Sequence, residues 1–120
     1  MKKIAMIFLL CFTVFTIKAQ KIYKVKYESQ ADVKVYAEQS ESQADLNVYI
    51  VNYESQADNN KGNWYFVDYE SQADVKVYFV DYESQADVRI YFVDYESQAG
   101  WKNNEKKRFF YKGDRDPINF

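Results

Sequence analysis

Glutamate and aspartate recur in this chain at one fixed spacing, which makes paired carboxylates the first chemistry to consider. The pentapeptide Glu-Ser-Gln-Ala-Asp begins at positions 28, 41, 54, 70 and 83, and a variant that ends in Gly begins at position 96. Two carboxylates can act as the acid and the base of a glycoside hydrolase. Catalysis needs one asymmetric site, however, and these acids recur from copy to copy. We therefore expect them to accept hydrogen bonds from backbone N–H groups at a repeated turn, and we predict that the protein is not an enzyme.

The sequence lacks the residues that other common catalytic and metal-binding sites require. Beyond position 19 the sequence contains no His and no Cys, which excludes Ser-His and Cys-His nucleophiles and the usual zinc ligands. The glycines there, Gly62, Gly100 and Gly113, are too far apart for a phosphate-binding loop. A calcium site built from the repeated acids stays open as a weaker alternative, although the spacing of an EF-hand is absent. We predict no cofactor.

The acids belong to a tandem repeat, and the repeat determines the fold class. Successive copies start 13, 13, 16, 13 and 13 residues apart, and each joins a polar turn to a short strand of β-branched and aromatic residues. In the copy that spans 75–80, alternation places Val75, Val77 and Phe79 on one face, and a lysine, a tyrosine and a valine on the other. Because both faces are largely apolar, we predict an all-β domain whose strands are covered on both sides.

The polar half of the unit must turn the chain and correct its parity. Thirteen is odd, so strict alternation would move every side chain of the next copy to the opposite face. We predict that Glu-Ser-Gln-Ala-Asp forms this corner, with Ser84 capping a tight turn and Asp87 in the position of a capping-box acid. The alternative is a binding motif that the chain displays several times.

A single unit cannot fold alone. Burial of five apolar side chains contributes about 10 kcal/mol, whereas ordering thirteen residues costs about 20 kcal/mol. Neighbouring units must therefore cover one another. We predict one compact domain over residues 20–120, with short strands, tight turns and a shared interior of Val, Tyr and Phe. Its units start near positions 27, 40, 53, 69, 82, 95 and 111.

Departures from the repeat predict local features. Residues 58–64 and 100–108 each carry three extra residues, and they hold Trp64 and Trp101. Residues 37–40 read Ala-Glu-Gln-Ser where other copies have Phe-Val-Asp-Tyr, which predicts an exposed edge. Residues 22–26 supply one further strand before the first turn.

The first residues predict export. Lys2 and Lys3 precede a nearly continuous apolar run, and the small Ala19 stands at the cleavage position of a secretory signal peptide over residues 1–19. The only cysteine, Cys11, lies within that peptide. Residues 20–120 then carry 13 basic and 18 acidic side chains, a net charge of −5, which argues against nucleic-acid binding. We expect a secreted or periplasmic monomer.

The sequence resembles the Septknot family in its seven units built on Tyr-Glu-Ser-Gln-Ala-Asp and in the segment Trp101-Lys102-Asn103-Asn104. The resemblance covers essentially all of residues 20–120. It implies a pseudo-sevenfold repeat domain whose backbone is deeply knotted, as a seven-crossing torus knot, and it implies no biochemical activity. Such a knot passes twice around a ring of seven stations. We therefore expect each unit to pack against the units three and four further along, and the two inserts, three units apart, to lie together.

These observations favour a non-enzymatic structural or binding module whose partner is unknown. The candidate partner-binding residues are basic residues and tryptophans of the inserts, namely Lys102, Lys106, Lys107, Arg108, Trp64 and Trp101. Such a surface suits an acidic component of the cell envelope or a protein. A solvated loop, with tryptophans that close the core, is the alternative interpretation of these residues. A carboxylate-based hydrolase and a fibre-forming surface protein stay open as alternative functions, the latter because segments such as 75–80 are strongly strand-forming.

Overall fold

The repeat forms an all-β structure, as the sequence predicts. The structure is a computed structural model that describes residues 20–57 and 60–110. The predicted signal peptide over 1–19 and the predicted seventh unit from 111 lie outside the described residues. The strands are β1 (Lys21–Lys24), β2 (Val33–Ala37), β3 (Leu46–Ile50), β4 (Asn63–Phe66), β5 (Val75–Phe79), β6 (Val88–Phe92) and β7 (Gly100–Trp101). A seven-residue 3-10 helix, Asn104–Phe110, follows the last strand.

Each copy of Glu-Ser-Gln forms one turn of 3-10 helix. The turns are Glu28–Gln30, Glu41–Gln43, Glu54–Gln56, Glu70–Gln72, Glu83–Gln85 and Glu96–Gln98. In each turn the N–H of the following alanine donates to the carbonyl of the glutamate, as Ala86 does to Glu83 at 3.2 Å. The predicted capping box of Ser84 and Asp87 is wrong. Ser84 lies inside the turn Glu83–Gln85. The capping position before the turn is occupied by Tyr82, whose side chain makes no capping hydrogen bond.

Strands β1 to β6 form a closed parallel barrel. Around the ring the order is β4, β1, β5, β2, β6 and β3, and β3 pairs with β4 to close it. Strand β1 pairs with β4 and β5, β2 with β5 and β6, and β3 with β6. The expectation that a unit packs against the units three and four further along is confirmed for these five pairs, whereas the closing pair of β3 and β4 joins consecutive units.

The ring contains six strands, so the expected seven equal stations are wrong. The insert after the third unit brings β4 directly beside β3, with Tyr49 paired to Asn63 and Ile50 to Trp64. No gap remains between them for another parallel strand. Strand β7 instead pairs antiparallel with β3, where Gly100 lies opposite Asn47.

The register explains how so short a unit can connect parallel strands. Such strands normally need a crossover of a dozen or more residues, because the chain must return to the starting end of the sheet. Here Phe79, at the end of β5, pairs with Val35 of β2, and Val35 pairs with Val88 at the start of β6. The end of one strand is thus level with the start of the next, with a single strand between them. The link 80–87 therefore has only to cross the width of β2, without returning along the length of the sheet.

Each link crosses the outer face of the strand that it passes. The turn Glu83–Gln85 contacts β2, which lies between β5 and β6, and the turn Glu70–Gln72 contacts β1, which lies between β4 and β5. Outward side chains such as Lys76 and Tyr78 are half-buried as a result, whereas Val75 and Val77 are fully buried. The strands are therefore covered completely on the inner face and only partly on the outer one.

The barrel interior is aliphatic, capped at one end by aromatic rings. Inward positions of equivalent units hold the same kind of side chain, which shows that the turn corrects the odd parity of the repeat. The core consists of Ile22, Val33, Val35, Leu46, Val48, Trp64, Val75, Val77, Val88, Ile90 and Phe110. The prediction that tyrosines belong to the shared interior is wrong. Within the described ranges every tyrosine is half-buried or exposed, because alternation turns those of the strands outward, where the hydroxyl stays in reach of water.

The aspartate that ends the motif joins two strands. Asp87 donates its N–H to the carbonyl of Lys34 at 2.7 Å and accepts the N–H of Lys34 on Oδ2 at 3.0 Å. The same two bonds join Asp32 to Lys76, Asp45 to Arg89 and Asp74 to Lys21. We call each such pair an Asp clasp. The expectation that the repeated acids bind backbone N–H groups is confirmed for these four aspartates, although the donor lies in another unit.

Loss of an Asp clasp should be costly. Asp87→Ala leaves the N–H of Lys34 without its charged acceptor, and a hydrogen bond to a charged group contributes about 1.5–3 kcal/mol. We expect the free energy of unfolding to fall by about 2 kcal/mol, measured by urea denaturation at equilibrium. Asp81→Ala is the matched control, because Asp81 is exposed and belongs to no clasp, and it should change stability by less than about 0.5 kcal/mol. Equal effects of the two changes would show that the clasps do not hold the barrel.

Candidate functional site

The two inserts meet, as expected from their separation by three units. The indole N–H of Trp101 donates to the carbonyl of Asn60 at 2.9 Å. The side-chain amide of Asn60 donates in turn to the carbonyl of Lys107 at 3.4 Å. Gly62 makes the approach close, because a Cβ at this position would lie 2.6 Å from the carbonyl oxygen of Asn47 and its φ of +97° suits glycine.

The tryptophans of the inserts close the core rather than form a binding rim. Trp64 is 1 % exposed, so it cannot contact a partner, and its place in the predicted binding set is corrected. Its ring lies 5.6 Å from that of Phe110, and the half-buried ring of Trp101 lies 5.8 Å from Phe110 on another side. Together the three rings close one end of the aliphatic core.

The basic residues near the second insert hold the last segment onto the barrel. The ammonium of Lys102 donates to the carbonyl of Glu41 at 2.7 Å, and that of Lys106 to the carbonyl of Asp87 at 2.9 Å. Arg108 donates to the carbonyl of Glu105 at 2.7 Å and stacks on Phe109. Lys107 lies on the same helix and is half-buried. Three of the four predicted cations thus already have an acceptor within the chain.

The glutamate of the motif pairs with an outward side chain of a strand. The carboxylate of Glu28 lies 3.3 Å from the ammonium of Lys34, and that of Glu70 lies 3.2 Å from that of Lys76. These pairs are largely exposed, so each contributes about 0–1 kcal/mol. A cleft of about 600 Å³ is lined by Glu28, Asp32, Lys34 and Asp87 among others. Because these four side chains belong to ion pairs or Asp clasps, the cleft offers no unused polar group among them.

The tyrosine before each turn accepts the N–H of the glutamine on its carbonyl, while its side chain is largely exposed. Tyr27 is 63 % exposed, and its four equivalents are each 67 % exposed: Tyr53, Tyr69, Tyr82 and Tyr95. Only Ser40 interrupts the series. We call these five residues the turn tyrosines. A large aromatic side chain thus occupies the same exposed place in these five turns. The sequence does carry this signal, since a tyrosine precedes nearly every polar motif, but it was assigned to the interior.

Residues 37–40 are exposed except for Glu38, as the sequence predicts, but they are not a sheet edge, because β2 is paired on both sides. Glu38 is 9 % exposed, and its Oε2 has no hydrogen-bond donor. Burial raises the pKa of Glu38 above its ordinary value, and a hydrogen bond with the Glu83 carboxyl raises this pKa further. Arg89, whose Nη1 is 2.6 Å from Glu83, holds the pKa of Glu83 below its ordinary value. Glu38 distinguishes this group of acids from those at the other described turns.

Metal and membrane sites receive no support from the described residues. Within 20–57 and 60–110, no group of three or more acids, His or Cys is arranged to hold a metal ion. No helix in these ranges is long and apolar enough to cross a membrane.

The chain is similar to one described family of proteins over most of its length. A family model described as the 7(1) septoil knot domain matches residues 19–102. The match includes all seven strands and six turns, and it ends before the helix Asn104–Phe110. Neither a curated protein nor a solved structure matches the chain.

Proposed function

We propose, from the premise that this chain belongs to the septoil knot domain family, that it is a secreted or periplasmic, non-enzymatic module that binds a partner through the turn tyrosines. The repeated motif Tyr-Glu-Ser-Gln-Ala-Asp has six residues, and most of their side chains or backbone groups make contacts within the fold. Serine and glutamine form the turn, alanine closes it, glutamate meets an outward side chain and aspartate forms the clasp. The tyrosine is the one large aromatic side chain of the motif, and it is exposed at every described turn that carries it.

The exposure of the turn tyrosines is the observation that carries this proposal. Tyrosine supplies a large, rigid contact area at a low cost in side-chain entropy, which suits recognition. Five equivalent copies favour a partner that repeats as well, because several weak contacts on one body reinforce one another. A component of the cell envelope, polymeric or present in many copies, fits both conditions. The chain would act as a monomer.

A second, weaker proposal is that the partner binds the basic residues near the second insert instead of the turn tyrosines. Lys102 and Arg108 stay exposed, so an acidic envelope component or protein could still meet them. Their hydrogen bonds to carbonyl groups within the chain would compete with such a partner. The turn tyrosines have no such competition.

The alternative functions fit the geometry less well. A carboxylate-based hydrolase would need substrate to reach its two acids, and the acid that departs from the repeat, Glu38, is buried. A fibre would need unpaired strand edges, and closure of the ring from β1 to β6 leaves none on those six strands.

We further propose that the barrel is deeply knotted, as a seven-crossing torus knot. The pattern of links supports this proposal, because the chain circles the ring and crosses the outside of intervening strands as it goes. A knot of this kind would make the chain hard to pull into a protease. Knots are disfavoured in proteins generally. In this fold, short links that each cross one intervening strand would allow a knot to form without long connections.

The binding proposal predicts separable effects on binding and stability. Replacement of Tyr69, Tyr82 and Tyr95 by Ser together should lower retention on an envelope fraction of the producing cell at least tenfold. The unfolding free energy should change by less than about 0.5 kcal/mol for each exposed site. A variant with Lys106, Lys107 and Arg108 changed to Ser is the control and should retain binding. If the basic variant loses binding and the tyrosine variant keeps it, the contact surface is the basic one. Digestion of the envelope fraction with protease or glycosidase would identify the class of partner.

The knot proposal predicts the length released by force. Residues 20–110 held at both ends and unfolded in an optical trap should extend by less than a free chain of the same length, which reaches about 3.3–3.6 Å per residue. The shortfall would be the tightened knot. Extension to the full contour length would show that the chain is not knotted.

A further inference from the structure

Gln20 is a polar residue in a place that other units fill with an aliphatic side chain. It stands seven residues before its turn tyrosine, as Val75 and Val88 do before theirs. Val75 and Val88 are 1 % and 0 % exposed, and Gln20 is equally buried at 1 %. A carboxamide therefore occupies a position directly before β1 where the barrel otherwise buries an isopropyl group.

The buried amide of Gln20 is not fully satisfied. Its side-chain oxygen Oε1 is buried and has no hydrogen-bond donor among the described residues. A buried acceptor without a donor lowers stability, because its bonds to water are lost without replacement. The main chain is held in place here, since the carbonyl of Gln20 accepts the N–H of Tyr65 at 3.0 Å and Lys21 belongs to the Asp clasp of Asp74. The position therefore suits a less polar group than an open glutamine side chain.

The sequence places Gln20 directly after the predicted cleavage site at Ala19. Removal of residues 1–19 would turn the α-nitrogen of Gln20 into a free amine, on a residue whose side chain is buried. A protonated amine there would bring a charge beside an aliphatic core, which is unfavourable. A terminal glutamine differs from most residues, because its side-chain amide can react with its own α-amine and close a five-membered ring.

We propose that Gln20 becomes pyroglutamate after cleavage at Ala19, so that the exported chain begins with a neutral lactam built into the barrel. The unprotonated α-nitrogen attacks the side-chain Cδ, and a C–N bond forms. The bond from Cδ to Nε2 breaks, and Nε2 leaves as ammonia with the proton that the amine loses. No oxidant or other reactant is consumed. The inference rests on the export proposed above, because without cleavage the α-nitrogen remains an unreactive amide.

The lactam suits this position better than the open side chain does. Ring closure removes Nε2 and the terminal positive charge. It leaves a compact ring, closer in size to the valine of other units than an extended glutamine is. The side-chain carbonyl moves from the end of a flexible side chain to a place beside the α-nitrogen. The main-chain carbonyl is unchanged, so its hydrogen bond with Tyr65 remains. An N-terminus without a free amine also resists ordinary aminopeptidases.

The test is the mass of the N-terminal peptide of the full-length chain after export by the producing cell. We expect a peptide that starts at residue 20 and is lighter than its sequence mass by one ammonia. An isotopically labelled synthetic peptide of residues 20–26 with an open glutamine, added before digestion, should stay open and so exclude ring closure during preparation.

The outcomes separate this inference from the export proposal. A peptide that starts at residue 20 with an open glutamine would overturn the inference and leave export standing; a buried water on Oε1 would then account for the unpaired oxygen. A chain that keeps residues 1–19 would overturn both. A chain cut at another position would overturn the inference alone.

Two further measurements test the buried place of the lactam. Pyroglutamyl peptidase should remove it from the native protein at least about tenfold more slowly than from the cyclised peptide of residues 20–26, because the barrel must first open locally. Equal rates would overturn the buried lactam. Gln20→Val is the matched control, since valine is the residue of other units and cannot close a ring. Stepwise sequencing should read this variant from its free amine, whereas the wild-type chain should be blocked. A blocked Gln20→Val would show that the block does not come from Gln20.

Discussion

The register between parallel strands is the constraint on which the rest of the structure depends. Because the end of β5 is level with the start of β6 across β2, a link of a few residues can join parallel strands without a long return. The link must then pass over the strand between them, and repetition of that step carries the chain around the ring. A thirteen-residue unit is long enough for one short strand and one such step. The repeat length, the strand order and the crossings are therefore consequences of one geometric offset.

The repeated motif stabilises this register at the points where strands begin. An Asp clasp fixes the start of one strand to a strand from a distant unit through two short hydrogen bonds, and the 3-10 turn before it shortens the link. Since the four described clasps join residues 44 or 53 positions apart, they stabilise contacts that are distant in sequence. The turn tyrosines take part through their carbonyl groups only, so their exposed side chains are consistent with a contact function in an otherwise structural motif.

Much of the fold was predictable from the repeat, and the failures have physical reasons. The strands, the turns and the backbone role of the acids followed from composition and period, and the resemblance added the interleaved pairing. The place of β7 could not be predicted, because it depends on how the insert at 58–64 moves β4 against β3. Alternation alone does not say which face is inward, so the tyrosines were assigned to the core. The buried place of Glu38 required the pairing of β2 on both sides, which is not visible in residues 37–40.

The most direct test of this account is the strand pairing itself, measured in solution. Backbone NMR of isotopically labelled protein should give cross-strand contacts between Val33 and Val77 and between Val35 and Val88, as parallel neighbours. Contacts of β2 only with the strands just before and after it in the chain would contradict the interleaved barrel, and with it the short sideways links from which the other features follow.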